Sequence, residues 1–295
     1  MAAQSKPLLY ILLGWQVIAL AAWGLGPAFW LFDLPNHVII GTLGLAGVGV
    51  AGALATRETA MVVGFAASLL VHGARWWPSP PVSSRTASVR ILMANVWARN
   101  HDPTPFLSLV RRQDPDVVAV LELTSGWRSA LGSLRERYPY HLEVPRSDPF
   151  GMGLYSRLPL IGLRNDPLST ADLPSLVGTL PHGGVIRVVH PMPPLSLRMA
   201  RDRDAHLVAV AQRLEQPGAI VVGDLNCTPW SNHFPSPQQG WPEGTWPAGL
   251  PAPFRLPLDH ALTGPGLVVV ERQTLPSIGS DHRPILIGVA QPEPP

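Results

Sequence analysis

Polar side chains capable of metal binding or acid–base work recur at the carboxyl ends of apolar runs in this sequence. Asn95 follows RILMA, Glu122 follows VVAVL, His190 follows IRVV, and Asp224 and Asn226 follow IVVG. Two further clusters stand near the end, Asp259–His260 and Ser280–Asp281–His282. A strand end is a rigid place to hold a ligand, and several such ends brought together make an oxygen-rich pocket. Carboxylates and an amide carbonyl without clustered cysteines favour a hard cation, Mg²⁺ or Mn²⁺, over zinc. Taken singly, an Asn or Asp after a strand is usually a turn former and a lone His a structural residue. Their succession along one domain is what carries weight.

The elements that position these residues alternate between two periods. Residues 88–95, 116–122, 185–190 and 219–223 read as strands, 153–156 as a short extended piece, and 258–262, 267–272 and 285–289 as a closing set. Residues 102–113 read as a helix with Thr104 as its cap and Pro105 in the first turn, and 124–137 and 196–216 as two more. Strands outnumber helices and the two mix along the chain, which points to an α/β sandwich over a doubly wound sheet.

A different composition precedes them. No charge occurs at positions 7–32, 34–56 or 59–74. Charges are expensive in a bilayer, so such runs mark spans, and the first two are long enough for a hydrocarbon core of roughly 30 Å. The third run has 16 residues. As a helix it reaches only about 24 Å at ~1.5 Å per residue, yet Trp76 and Trp77 beyond it suit an interface. We read residues 1–77 as an anchor of two to three helices, about 8–30, 38–55 and 59–75, with the glycines of the second run as helix-packing positions. The first run continues too far for a signal peptide. Three crossings with Lys6 and Arg57 on the cytoplasmic side put the following domain outside, although Arg75, Arg85 and Arg90 weigh the other way. A Pro/Ser-rich linker occupies 78–87, the catalytic domain 88–289 and a short tail 290–295. From residue 85 onward 19 arginines face 18 acids, far from the basic stripe of a dedicated nucleic-acid binder. The lone cysteine, Cys227, excludes an intramolecular disulfide.

Seven blocks in order, MANV (93–96), DPDVVAVLELT (114–124), GMGLYSRLPL (151–160), HPMPP (190–194), GDLNCTPW (223–230), LDHAL (258–262) and GSDHRPI (279–285), resemble the endonuclease/exonuclease/phosphatase (deoxyribonuclease I-like) superfamily. More narrowly, they resemble its bacterial members with hydrophobic amino-terminal spans. The resemblance implies a four-layer α/β sandwich, two packed, mostly antiparallel sheets flanked by helices, here preceded by the transmembrane anchor. It implies a divalent ion (Mg²⁺ or Mn²⁺) held by Asn95 and Glu122, with Asp281 as a further ligand. Asp224 would position or deprotonate the attacking water, and Asn226 would hold that water or a phosphate oxygen. Asp259 would orient His282, and His190 would hydrogen-bond a non-bridging phosphate oxygen. Whether Asp224 or the His282–Asp259 pair is the base stays open. Leu121 stands where the family usually has Gln, and Val189 where it has Thr; neither is a direct ligand.

The function implied is hydrolysis of a phosphodiester by in-line attack of an activated water in an inner-membrane protein. The substrate is a lipid headgroup, a small phosphoester or nucleic acid, with the bilayer as the other partner and no protein partner. A catalytically silent membrane scaffold is the alternative, and it requires a broken ligand set, which the blocks do not have. Arg198, Arg201 and Arg203 read as a solvated helix face. Trp230, Trp241 and Trp246 read as packing or a wall near the cleft. His260 points away from the site if its segment is a strand.

Overall fold

The computed structural model describes residues 2–26, 30–74, 86–181, 183–236, 239 and 243–291. Most of the 78–87 linker, the end of the tail and Trp241 lie outside the described residues. The chain divides into two compact units, 1–78 with 228–237, and 79–227 with 238–295.

The first unit is helical: α1 (Ala2–Leu25), α2 (Trp30–Asp33), a 3-10 turn (Leu34–Val38), α3 (Ile39–Ala55) and α4 (Thr59–Ala74). The first helix ends at Leu25, short of the 30 expected, because Gly24, Gly26 and Pro27 offer neither helix propensity nor a continuing N–H. Polar side chains tie the three long helices together. Gln16 of α1 accepts from Ser68 of α4 at 2.5 Å and donates to the Thr42 carbonyl of α3 at 3.2 Å, and Trp15 Nε1 donates to Thr42 Oγ1 at 3.1 Å. Small residues, Ala22, Ala46 and Ala53, lie inside, whereas Ile11, Val48, Val63 and Leu70 face outward. Segments Lys6–Leu25 and Trp30–Ala55 are long and apolar enough to cross a membrane; α4 is shorter.

The second unit contains two sheets. One has six strands in the order β10-β11-β1-β2-β4-β3 and the other five in the order β5-β6-β7-β8-β9. In chain order these are β1 (Val89–Asn95), β2 (Val117–Leu121), β3 (Tyr140–Val144), β4 (Met152–Ser156), β5 (Ile161–Asn165), β6 (Leu176–Thr179), β7 (Val185–Val189), β8 (Ala219–Asp224), β9 (Asp259–Thr263), β10 (Val268–Thr274) and β11 (Ile285–Ala290). Strand residues alternate faces. Ile91, Met93, Ala119 and Leu154 of the first sheet therefore pack against Ile186, Val188, Ile220 and Val222 of the second. The intervening Leu92, Ala94, Val118 and Val120 face outward onto α5 (Thr104–Gln113) and α6 (Ser125–Ala130), through Phe106, Leu109, Val110 and Trp127. Helix α7 (Leu197–Leu214) packs on β8 of the other sheet. This is the four-layer sandwich implied by the seven sequence blocks.

Local readings needed adjustment in a few places. The helix over 124–137 is really α6 capped by Thr124, then a 3-10 turn (Leu131–Leu134) that holds Gly132. The cap of α5 is Pro103, while Asp102 Oδ1 accepts from the Thr104 N–H at 3.0 Å. Strands β3, β5 and β6 carry no clear apolar signature in sequence; β3 and β5 are sheet edges, β3 half-buried and β5 largely exposed.

Among the described residues two strand pairs are parallel, β1–β2 and β7–β8. Their registers set Asn95 beside Leu121 and Val189 beside Gly223, and the antiparallel β8–β9 pair sets Asp224 beside Asp259. Gly223 is required by this arrangement, since an added Cβ there would overlap the Val189 carbonyl of the neighbouring strand. Gly223→Ala is expected to destabilise the catalytic unit by about 2 kcal/mol or more, because backbone overlap cannot relax by a rotamer change. Gly132→Ala, with open space around it, should stay within about 0.5 kcal/mol. Thermal melts of the two variants check this, and equal midpoints would refute it.

Candidate active site

The last residue of β1 is the hub. The Asn95 amide is buried, and its Nδ2 donates to Glu122 Oε1 at 3.0 Å and to Asp224 Oδ2 at 3.3 Å, bridging the ends of strands from both sheets. Its Oδ1 accepts from the Trp97 N–H at 3.0 Å, and Glu122 Oε2 accepts from the Ala98 N–H at 2.7 Å. Trp97, Glu122 and Asn226 all have positive φ (61°, 61° and 48°). For Trp and Glu this conformation costs about 1–3 kcal/mol, and such residues cluster where a side chain has to be aimed. Here they are the residues at which the chain turns off β1, β2 and β8.

Histidines and carboxylates complete the array. Asp224 Oδ2 faces His190 Nε2 at 3.6 Å and His282 Nε2 at 3.4 Å, while Oδ1 accepts from the Asn226 N–H at 2.9 Å. On its other side His282 Nδ1 meets Asp259 Oδ2 at 2.7 Å. Ser280, which was not among the expected site residues, is the brace: Oγ donates to the Asn95 carbonyl at 2.8 Å and accepts from the His282 N–H at 3.0 Å. Asn226 Nδ2 donates to the Pro191 carbonyl at 3.0 Å, next to His190. Asp281 lies to one side, its Oδ2 accepting from Trp246 Nε1 at 3.3 Å. Among the described residues no hydrogen bond joins Asp281 to Asn95 or Glu122. Two aromatic rings flank the histidines, Phe150 at 5.2 Å from His190 and Trp246 at 6.5 Å from His282. Phe150 was not anticipated; its only signal is its place just before the GMG block.

Arg203 lies elsewhere than its sequence context suggests, and three other residues lie outside the array as expected. Arg203 is buried, contrary to the solvated-face reading of its helix, and donates to Asp204 at 2.9 Å with Nη1 3.5 Å from the Asn226 carbonyl. It braces the turn from behind; Arg198 and Arg201 stay exposed. His260 points away, its Nε2 hydrogen-bonded to the Cys227 and Pro257 carbonyls at 3.0 and 2.9 Å.

Electrostatics follow from this packing. Burial pulls the His282 pKa down, but Asp259 and Asp224 on its two nitrogens outweigh it and lift the group to about 10. Burial raises Asp224, and His282 with His190 more than reverse this, holding the carboxyl below its ordinary range. Asp259 stays above its ordinary range because burial outweighs the pull of His282. Each ring nitrogen of His282 faces a carboxylate oxygen, so the geometry itself calls for an imidazolium.

The donor set fits a hard divalent cation. Asp224, Asp259 and His282 offer ligand atoms within 4.8 Å of one another. Of these, His282 is already the shared cation between two acids, which makes it a poor ligand. The half-buried Glu122 carboxylate, at the Asn95 end of the array, accepts from Asn95 Nδ2 on one oxygen and from the Ala98 N–H on the other, which keeps lone pairs for a metal.

Residues 94–282 match the Endonuclease/Exonuclease/phosphatase family. No curated protein matches the chain. Among solved structures it is similar to an endonuclease/exonuclease/phosphatase from Beutenbergia cavernae DSM 12333 (18% identity, TM-score 0.53, 70% of this chain and 72% of that one). It is similar to the human Nocturnin catalytic domain with bound sulfate anion (18%, 0.55, 69% and 94%). D. rerio TDP2 complexed with single strand DNA product is a third (17%, 0.54, 69% and 99%). At these identities the structural likeness establishes the fold.

The buried histidines generate a pH signature. His206 and His260 are pushed down to about 4 by burial. Below pH 6.5 the unfolded chain takes up protons that these two groups refuse in the fold until about pH 4. Stability therefore falls through that window, at up to about 2.7 kcal/mol per pH unit. Above pH 6.5 the unfolded state releases the His282 proton that the fold retains to about 10, and stability falls again at up to about 1.4 kcal/mol per unit. Urea unfolding of the metal-free protein between pH 4.5 and 9 should trace a dome, and His282→Gln should flatten its alkaline limb. A monotonic profile would refute the assignment.

Proposed function

The chain belongs to the endonuclease/exonuclease/phosphatase family, whose members are hydrolases of phosphoester bonds, and from that premise we propose that it is a membrane-anchored, divalent-metal-dependent phosphodiesterase. The observation that carries this reading is the Asn95 amide, which joins the Glu122 carboxylate to the Asp224–His282–Asp259 triad. An oxygen-donor pair suited to Mg²⁺ or Mn²⁺ thus lies beside an ionised acid and a buried imidazolium.

In this reading Glu122 and Asn95 hold the ion, with Asp281 as a further acid on the Trp246 side. The ion, when bound, supplies Lewis-acid stabilisation of charge on a phosphoryl oxygen. Asp224 accepts a proton from the attacking water, which Asn226 helps to orient. His282 has both nitrogens directed at carboxylates, so it serves as a donor to the phosphoryl group in preference to a base. His190 donates to a second non-bridging oxygen as negative charge builds there. Phe150 and Trp246 form apolar walls that exclude water from the two histidines. No expected position has been lost, which weighs against a silent scaffold.

Anchoring draws support from the outward placement of Ile11, Val48, Val63 and Leu70, with Gln16, Thr42 and Ser68 buried beside Ala53 and Phe65. A soluble bundle would carry the reverse arrangement. On this view residues 1–77 hold the catalytic domain, 88–289, against the inner membrane, with the domain on its outer side. A site kept beside lipid headgroups, and a near-neutral domain, favour a lipid or small phosphodiester over a long nucleic acid.

The test is turnover by the purified full-length protein, with and without Mg²⁺, of bis-p-nitrophenyl phosphate, sphingomyelin, inositol phosphates, DNA and RNA. Metal-dependent hydrolysis is expected, reduced about 100-fold or more in kcat by Glu122→Gln and by His282→Ala. Hydrolysis that survives both substitutions would overturn the site, and a preference for polynucleotide would move the substrate to nucleic acid.

A further inference from the structure

Segment 228–237 leaves the catalytic unit two residues after Asn226 and folds as part of the helical unit. It is captured there by a buried carboxylate. Asp33, the last residue of α2, is fully buried. Its Oδ2 accepts from Ser231 Oγ at 2.7 Å and faces His37 Nε2 at 3.4 Å, and its Oδ1 accepts from the Asn232 N–H at 3.2 Å and from Asn36 Nδ2 at 3.3 Å. His37 Nδ1 in turn accepts from the Thr228 N–H at 3.2 Å. Because a backbone N–H can only donate, the imidazole proton sits on Nε2, directed at Asp33. Asn232 Nδ2 donates to the Trp23 carbonyl near the end of α1 at 3.1 Å.

A carboxylate buried at the end of an apolar bundle is expensive unless it is fully partnered. Helix packing alone would be served by an apolar residue at 33. What Asp33 adds is two hydrogen bonds to the 228–237 backbone and side chains, and the orientation of the imidazole that makes a third. The helix directions agree with this placement. Lys6–Glu58 and Gln16–Ser68 pair α1 with α4 at the same separation of 52 residues, so the two run parallel, while Thr42 pairs with Gln16 in the returning α3. The end of α4 at Ala74 therefore lies at the same end of the bundle as Asp33.

We propose that Asp33 is a positioning residue for the active site: by fixing segment 228–237 it sets the turn that carries Asn226, making the anchor a working part of the enzyme. Within the catalytic unit that turn is held by His260 on the Cys227 carbonyl, by Asn226 Nδ2 on the Pro191 carbonyl, by Leu225 N–H on the Leu258 carbonyl and by Arg203 beside the Asn226 carbonyl. Beyond Cys227 the next hydrogen-bonded residue is Thr228, held by His37. Full competence thus requires the helices, because without them the turn loses the hold on its far side at Thr228. The activity arm of the test rests on the phosphodiesterase reading; the structural arm does not.

Hydrogen–deuterium exchange and steady-state kinetics on the full-length protein in nanodiscs test this. Asp33→Ala should accelerate exchange over residues 225–236 at least tenfold and lower kcat for bis-p-nitrophenyl phosphate at least tenfold with KM changed less than twofold. Asp33→Asn, which keeps an acceptor, should recover part of both. Lys6→Ala, which breaks the ion pair at the far end of the bundle, should leave both at the wild-type level. If Asp33→Ala loosens β1 and β8 as well, Ser231→Ala is the second variant, with the same direction expected over 225–236. Unchanged exchange over 225–236 in both variants, or unchanged kcat despite faster exchange, would overturn the proposal. A wild type silent on every substrate would count against the phosphodiesterase reading and leave exchange to decide: acceleration at 225–236 supports the clasp and its absence sinks it.

Discussion

Each sheet contains one parallel strand pair, and the chemistry of this protein hangs on where those two pairs end. Parallel neighbours finish at the same edge, so β1 with β2 delivers Asn95 and Glu122, and β7 with β8 delivers His190 and Asp224. Antiparallel partners then add the beginnings of their strands, Asp259 on β9 and the 280–282 turn ahead of β11. A one-residue slip in either parallel pair would turn these side chains to the opposite face. The interdigitated apolar layer of Ile91, Met93, Ile186, Val188 and Ile220 holds the register against that.

On that edge a single amide and a single hydroxyl do the joining. Asn95 touches acids from both sheets, and Ser280 ties the Asn95 backbone to that of His282. The buried acids would repel one another without an imidazolium between them. His282 occupies that place, which is why its proton is held so far above the usual range. The strain at Trp97, Glu122 and Asn226 is the local counterpart: left-handed backbone at the strand ends turns short connections sharply enough to bring the side chains together.

The helical unit packs differently, with polar Gln16, Thr42 and Ser68 buried beside Phe65 and several alanines while many large apolar residues face outward. Gln16, Thr42 and Ser68 satisfy one another across three helices, so the interior polar groups specify which helices meet. Asp33 and His37 extend the same logic to a piece of chain that belongs, by sequence, to the GDLNCTPW block. Amino-terminal helices and a sequence block that look independent along the chain are thus interleaved in one folded unit.

How much of this was legible beforehand divides along physical lines. Apolar runs ending in Asn, Glu, His or Asp, together with charge-free stretches of spanning length, are local patterns. From them and from the seven blocks followed the sandwich class, the helical amino terminus and the residues of the array. Position 203 misled because helical periodicity does not say which face a neighbouring turn will cover. Strands β3 and β5 were missed because edge strands bury too little to need an apolar alternation, and β6 because four residues are too few to show one. Phe150 and Ser280 sit in or beside recognised blocks, but nothing local shows their roles; one acts through a ring contact with His190, the other through bonds to a strand far away in sequence. The sequence by itself determined which groups are available, since side-chain chemistry and short-range periodicity reside in the chain. Only the tertiary structure decided that Asn95 bridges two sheets, that His282 lies between two acids, and that Asp33 holds residues almost two hundred positions away. Those are distances, and long-range distances come from how the layers pack.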